Sequence, residues 1–376
     1  MPITPKNDTA PVPAPALDGV LQGPQAVLAA VPYLLGFRPQ SSVVVVWMRE
    51  RRICLTQRMD LPPRALDASA DVLASVQAVA ASCQADSALV VTYALDDHAD
   101  RGWRPDIHAA MAQLLDGANV QLLDALHVHR DRWWSYGCEG PCCPAQGRTI
   151  AHSVQEQVAA LLAEPGSEPA GSRDEVVRSL GSLPAAVAEL EPALKAWLSA
   201  LCARFEAAAS PEDELECWRD ECLAELLPVI RGMRPLVLPE GSDLDAMAMT
   251  LVALRDIRIR DTLLWHLAAT ADVAPCMESL VAAMRAAPQG HVAPVATCVA
   301  ICAWITGDGV RANAALERAL ADDEHHSLAW LVGRSIAHGL PPAAWKEIMA
   351  ALSEEDCRMG TAAPQAGLAP DSPAGS

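Results

Sequence analysis

Apolar residues follow two different periods along this chain, and the change from one to the other divides it. Residues 42–48 (S-V-V-V-V-W-M) are a continuous, mostly β-branched run, the mark of a strand covered on both faces. Residues 53–59 follow the charged turn 49–52 as the second arm of a hairpin. Residues 88–94 and 120–128 predict two more strands, and 132–136 returns from 120–128 around Arg130-Asp131. Helices lie between them. Val72, Leu73, Val76 and Val79 recur at helical spacing after a cap at Asp67 or Ser69. Ile107, Met111, Leu114 and Leu115 share a face of a helix started by Pro105. A short helix over 24–35, closed by Gly36, precedes the first strand. The order β-β-α-β-α-β-β predicts an N-terminal α/β domain with a mixed sheet over 20–150.

From His152 onward the strand-like runs stop and the period is helical, predicting an all-α C-terminal region. Residues 164–173 (E-P-G-S-E-P-A-G-S-R) interrupt it as a linker or long loop. Helices are expected over 190–208, 212–226, 243–255, 262–269, 275–286, 294–306, 312–321 and 327–338. This divides the second half into a helical region, 151–290, and a helical hairpin region, 291–350. Residues 1–19, rich in Pro, Thr and Ala, and 351–376 lack apolar periodicity and are expected to be disordered tails.

Charge narrows the partners. Residues 20–160 carry 11 Lys and Arg against 14 Asp and Glu, whereas 161–376 carry 16 against 31. Nucleic-acid affinity depends on phosphate neutralisation, so this acidic chain without a basic stripe is not expected to bind DNA or RNA. No apolar run approaches the roughly 18 residues of a membrane span, and residues 1–16 lack the layout of a secretory signal. A cytoplasmic location is therefore expected. The 12 cysteines, scattered from Cys54 to Cys357, then read as mostly reduced, small buried hydrophobes.

One stretch is too dense for simple core formation: R-W-W-S-Y-G-C-E-G-P-C-C-P-A-Q-G over 132–147. Together with L-L-G-F-R-P before S-S-V-V-V-V, R-M-D-L-P over 58–62, Arg260-Asp261 and 303–329, it resembles the actinobacterial domain of unknown function 4192 family. The resemblance covers nearly all of the chain except the tails and implies no catalytic residue. Within its C-terminal part, Gly307, Ala312, Leu316, Ala319 and Trp330 fall where a tetratricopeptide helix pair places small and large residues. Glu324 stands where such a repeat ends in proline, and an ordinary helical hairpin is the alternative.

Two constellations could carry chemistry. Cys138, Cys142 and Cys143, with His127 and His129 facing one side of a strand and His152 beyond the loop, would supply a Cys3His zinc set. The spacing is not that of a standard knuckle, and adjacent Cys142-Cys143 favours packing or a redox-labile pair over zinc. Arg38, Ser41, Ser42, Arg58, Asp60, Arg132 and Ser135 fall near strand ends, where converging arginines could hold a phosphate or carboxylate. Ion pairing of Asp60 with Arg58 or Arg132 is the competing expectation. Phosphate-loop, dinucleotide, zincin and nucleophile-elbow motifs are absent from the sequence. The favoured expectation is a non-enzymatic binding or scaffold protein that meets a protein partner through its helical half. The alternative is an enzyme or small-ligand sensor working at the strand ends.

Overall fold

The computed structural model describes residues 7–10, 23–62, 70–94, 102–138, 140–141, 143–162, 168–238 and 243–360. The described residues fall into two compact units, 1–182 with 296–343 and 183–295 with 344–376. The expected caps Asp67 and Ser69, the loop cysteine Cys142 and part of the expected linker lie outside the described residues.

Among the described residues, the first unit is built on a seven-stranded mixed sheet. In chain order it contains β1 (Asn7–Ala10), α1 (Pro24–Leu35), β2 (Ser42–Arg49), β3 (Arg52–Asp60), α2 (Ala70–Cys83), β4 (Ser87–Tyr93) and α3 (Pro105–Gly117). It continues through β5 (Gln121–His129), β6 (Arg132–Ser135), β7 (Arg148–Thr149), α4 (His152–Leu162) and α5 (Arg173–Ser179). The spatial order is β1-β3-β2-β4-β5-β6-β7. Only β4 and β5 pair in parallel, with α3 as their crossover, and the other neighbours are antiparallel. Period-two alternation sorts the side chains onto two faces. Val44, Val46, Leu89, Val91, Leu126 and Trp133 pack under α1 and α4. Val43, Val45, Trp47, Val90 and Leu55 pack under α2 and α3.

The second unit is helical: α6 (Pro184–Ala207), α7 (Pro211–Ile230), α8 (Leu244–Ala253), α9 (Ile257–Ala269) and α10 (Ala274–Ala286). The chain then passes through α11 (Val292–Ile305) back to the first unit, which gains α12 (Gly309–Asp322) and α13 (Ser327–Ala337). It leaves again within α14 (Pro342–Ala350), and α15 (Glu354–Met359) is the last helix of the described residues.

Three boundaries differ from expectation. Asn7–Ala10, placed in a disordered tail, pair antiparallel with β3, because joining an open sheet edge needs backbone groups rather than apolar periodicity. The expected hairpin region 291–350 is not a separate layer of the helical half. Val310 enters the core under the sheet, Arg173 pairs with Glu317 at 2.7 Å, and the Ser82 hydroxyl donates to the Gly339 carbonyl at 2.7 Å. Finally, α15 forms inside the expected C-terminal tail. Ser353 and Asp356 make a reciprocal capping box and Cys357 is buried, so one anchored turn replaces the periodicity that is missing there.

Candidate functional site

The expected strand-end site divides into separate fasteners. Arg58, buried on the α1 face, joins β3 to β2 by donating from Nε to Ser42 Oγ at 2.8 Å, and pairs at 2.6 Å with Asp60 on its own strand. Arg132 is exposed on β6 and donates to the carbonyls of Gln146 and Gly147 at 3.3 and 3.4 Å. Three strands lie between β3 and β6, which puts Arg58 and Arg132 about 19 Å apart across the sheet. Ser135 donates to Asp124 at 2.7 Å. Arg38 is exposed beyond α1, its backbone N–H bound to the Ala170 carbonyl, and Ser41 turns the chain into β2 with φ 45°.

The cysteine loop is folded over Trp134. The indole N–H donates to the Ala145 carbonyl at 3.2 Å, and Gly147, at φ +74°, leaves no room for a Cβ, which would lie 2.5 Å from the ring. Cys138 and Cys143 are half-buried, and His152 is exposed at the start of α4 beside Glu156. Among the described residues no three His, Cys, Asp or Glu side chains are grouped to hold a metal ion.

His127 and His129 do share a face, and that face leads to a different constellation. His127 is fully buried, its Nδ1 2.9 Å from Thr92 Oγ1, the residue beside it on parallel β4. Tyr136, just past β6, brings its hydroxyl to 3.0 Å from Thr92 Oγ1 and 3.4 Å from His127 Nδ1, and accepts the Arg104 backbone N–H at 3.3 Å. This network ties β4, β5, the end of β6 and the start of α3 together. Burial raises the Tyr136 phenol above its ordinary value, so it stays protonated at neutral pH. Above the network, Trp103 meets Tyr136 at 4.3 Å between ring centroids and His127 edge-on at 5.0 Å. His108, in the first turn of α3, stacks on Tyr136 at 5.2 Å. Trp103 is 38% exposed, an aromatic surface rooted in a buried polar network. His129, further along β5 on the same face, is 8% exposed and its Nε2 has no hydrogen-bond partner. The Arg104 guanidinium is held by Asp106 through bonds of 2.7–3.2 Å and by the Pro62 carbonyl at 2.7 Å.

This end of the sheet is where the parallel strands β4 and β5 finish and α3 begins, the position at which α/β sheets commonly take ligands. Sequence reasoning selected His127 and His129 and missed Thr92, Trp103, His108 and Tyr136. The available signal was parity: the His127 side chain shares its face with Trp134, its register partner on β6, and Thr92 is its register partner on β4.

A sequence profile described as Domain of unknown function (DUF4192) matches residues 24–343. The chain belongs to the DUF4192 family. No curated protein and no solved structure matches it. The family match takes in the whole constellation around Thr92, His127 and Tyr136 and carries no assigned chemistry.

Proposed function

We propose that this DUF4192 protein binds a small molecule bearing a flat ring at the carboxyl ends of β4 and β5. The observation that carries the reading is the partly exposed Trp103, packed on Tyr136 above the Thr92–His127–Tyr136 network. A rigid aromatic surface loses little conformational entropy on stacking, and the buried network holds it in place before the ligand arrives. The unpartnered His129 Nε2 supports a polar group on the ligand that exchanges a hydrogen bond with it. Binding is favoured over turnover because His127 is fully buried and the Tyr136 phenol is held in its neutral form. The proposed location is cytoplasmic; no helix of the described residues is long and apolar enough to cross a membrane.

Thermal-shift screening against nucleosides, nucleotides and flavin-like rings, repeated with Trp103→Ala, tests this. A ring-bearing compound should raise the melting temperature by several degrees, and the alanine variant should lose that shift while melting near the parent. A shift of equal size in both proteins would overturn the site. A second reading, a protein partner on the α12–α13 pair, is favoured by Trp330 and Leu331, which are 54% and 58% exposed on α13. In that reading the pair is tetratricopeptide-like, with Ala312 and Ala319 letting the helices approach.

A further inference from the structure

The end of α2 is fastened to the β2–β3 hairpin at several points. The Asp86 N–H donates to the Met48 carbonyl at 3.0 Å, the Glu50 N–H donates to Asp86 Oδ2 at 2.7 Å, and Arg49 hydrogen-bonds Gln84. Met48 pairs with Ile53 and Trp47 with Leu55, so Cys54 is the extra residue where the β2–β3 register shifts. Cys83, the last residue of α2, packs against the same apolar cluster as Cys54. From the other side, a Cβ added at Gly339 would meet Val79 at 3.4 Å and Leu55 at 3.5 Å, residues that lie one helical turn from Cys83 and next to Cys54. Two half-buried thiols, one from β3 and one from α2, therefore border the same apolar cluster.

We propose that Cys54 and Cys83 are a redox modification site, a vicinal thiol pair that a peroxide converts to a disulfide joining the β3 bulge to the end of α2. The two thiols are not equivalent. The Cys83 S–H donates to the Val79 carbonyl at 3.1 Å, while interaction with the Cys54 side chain and then the Ala85 backbone N–H lowers the Cys83 thiol below its ordinary value against the opposing effect of burial. The same contact, followed by burial, pushes Cys54 up. Cys83 is then the attacking sulfur and Cys54 the resolving one. The Cys83 thiolate takes one oxygen from hydrogen peroxide as a sulfenic acid, and the hydroxide released becomes water with the proton Cys83 has lost. The Cys54 sulfur displaces the sulfenic oxygen, which leaves as a second water with the Cys54 proton. Two thiols are oxidised to one disulfide, and one peroxide is reduced to two waters.

The test treats the folded full-length chain with hydrogen peroxide, blocks remaining thiols with N-ethylmaleimide and maps peptides by mass spectrometry without reduction. A Cys54–Cys83 linked peptide that disappears on reduction is expected. With dimedone present, Cys54→Ser should trap a sulfenic acid at Cys83 roughly tenfold more than Cys83→Ser traps one at Cys54. Exposed Cys202 serves as the internal control for indiscriminate oxidation. Recovery of both Cys54 and Cys83 as maleimide adducts while Cys202 is oxidised would overturn the proposal. Cross-linking of Cys83 to any other cysteine would overturn it equally.

Discussion

Arg58 and His127 are both buried polar side chains on strands of the same sheet, yet their surroundings point to different uses. Arg58 ends in Ser42 and Asp60; the first bond closes β3 on β2 and the second holds the guanidinium from within β3. His127 also satisfies Nδ1 internally, but the chain of contacts continues through Thr92 and Tyr136 to an indole facing solvent. The lesson is that burial and saturation identify a fastener, whereas a buried network that continues to an exposed aromatic surface has something left over for a ligand. The strongest way to break this contrast is to remove its second member. His127→Ala should destabilise the fold by about 3 kcal/mol, from the cavity and from the loss of one of the hydrogen bonds of the Thr92 hydroxyl, which keeps those to Tyr136 and the Leu126 carbonyl. Urea denaturation measures this. A loss below about 1 kcal/mol would mean that the network does not hold the surface in place.

Arg58→Met is the matched experiment on the other side. The methionine keeps much of the apolar stem and removes the charge-assisted bonds, for an expected cost of about 2 kcal/mol, moderated because Asp60 is half exposed. Its thermal shift with any ring-bearing ligand should equal the parent's. A shift abolished in Arg58→Met but retained in Trp103→Ala would reverse the assignment of roles.

How far the sequence revealed this contrast depended on the kind of signal. Strands β2 to β5 were legible because β-branched runs and alternation are local. The edge strand Asn7–Ala10 was not, since it joins β3 by backbone pairing. Helical periodicity located α12 and α13 but says only which face is buried, not against what, so their membership in the first unit was hidden. The arginines were conspicuous because they are charged, whereas Arg38, Arg58 and Arg132 belong to separate parts of the unit. Thr92 and Tyr136 are ordinary residues until β4 and β5 are known to pair in parallel register.

The cysteine loop provides a smaller test, because Trp134 shares a sheet face with His127. The two rings lie 5.9 Å apart, so a disturbance of the loop should reach the network. Gly147→Ala combines an unfavourable positive φ with a Cβ that would meet the Trp134 ring at 2.5 Å, and should cost about 2 kcal/mol or somewhat less. Near-ultraviolet circular dichroism, which reports tryptophan packing, should change together with the urea midpoint. An unchanged spectrum would show that the loop and the network are independent.

The smallest expected effect concerns the entrance to the site. Hydrogen bonds from Arg104, and then its charge, hold the Asp106 carboxyl below the usual carboxylate range. A depressed folded-state value means that the carboxylate's contribution is present above the ordinary carboxylate pKa and is lost as pH falls through the folded value. Asp106→Asn should therefore cost less than about 1 kcal/mol at pH 7, since the pair is partly exposed and screened. The difference between variant and parent should shrink on acidification through the carboxylate range, as the parent carboxyl takes up its proton. Urea unfolding of both proteins from neutral pH to about pH 3 follows this difference, with the ordinary aspartate value near 3.9 as the upper end of the window. A difference that stayed constant through that range would assign the cost of the substitution to altered packing at the start of α3, leaving the Arg104 pair without a role in ordering the site.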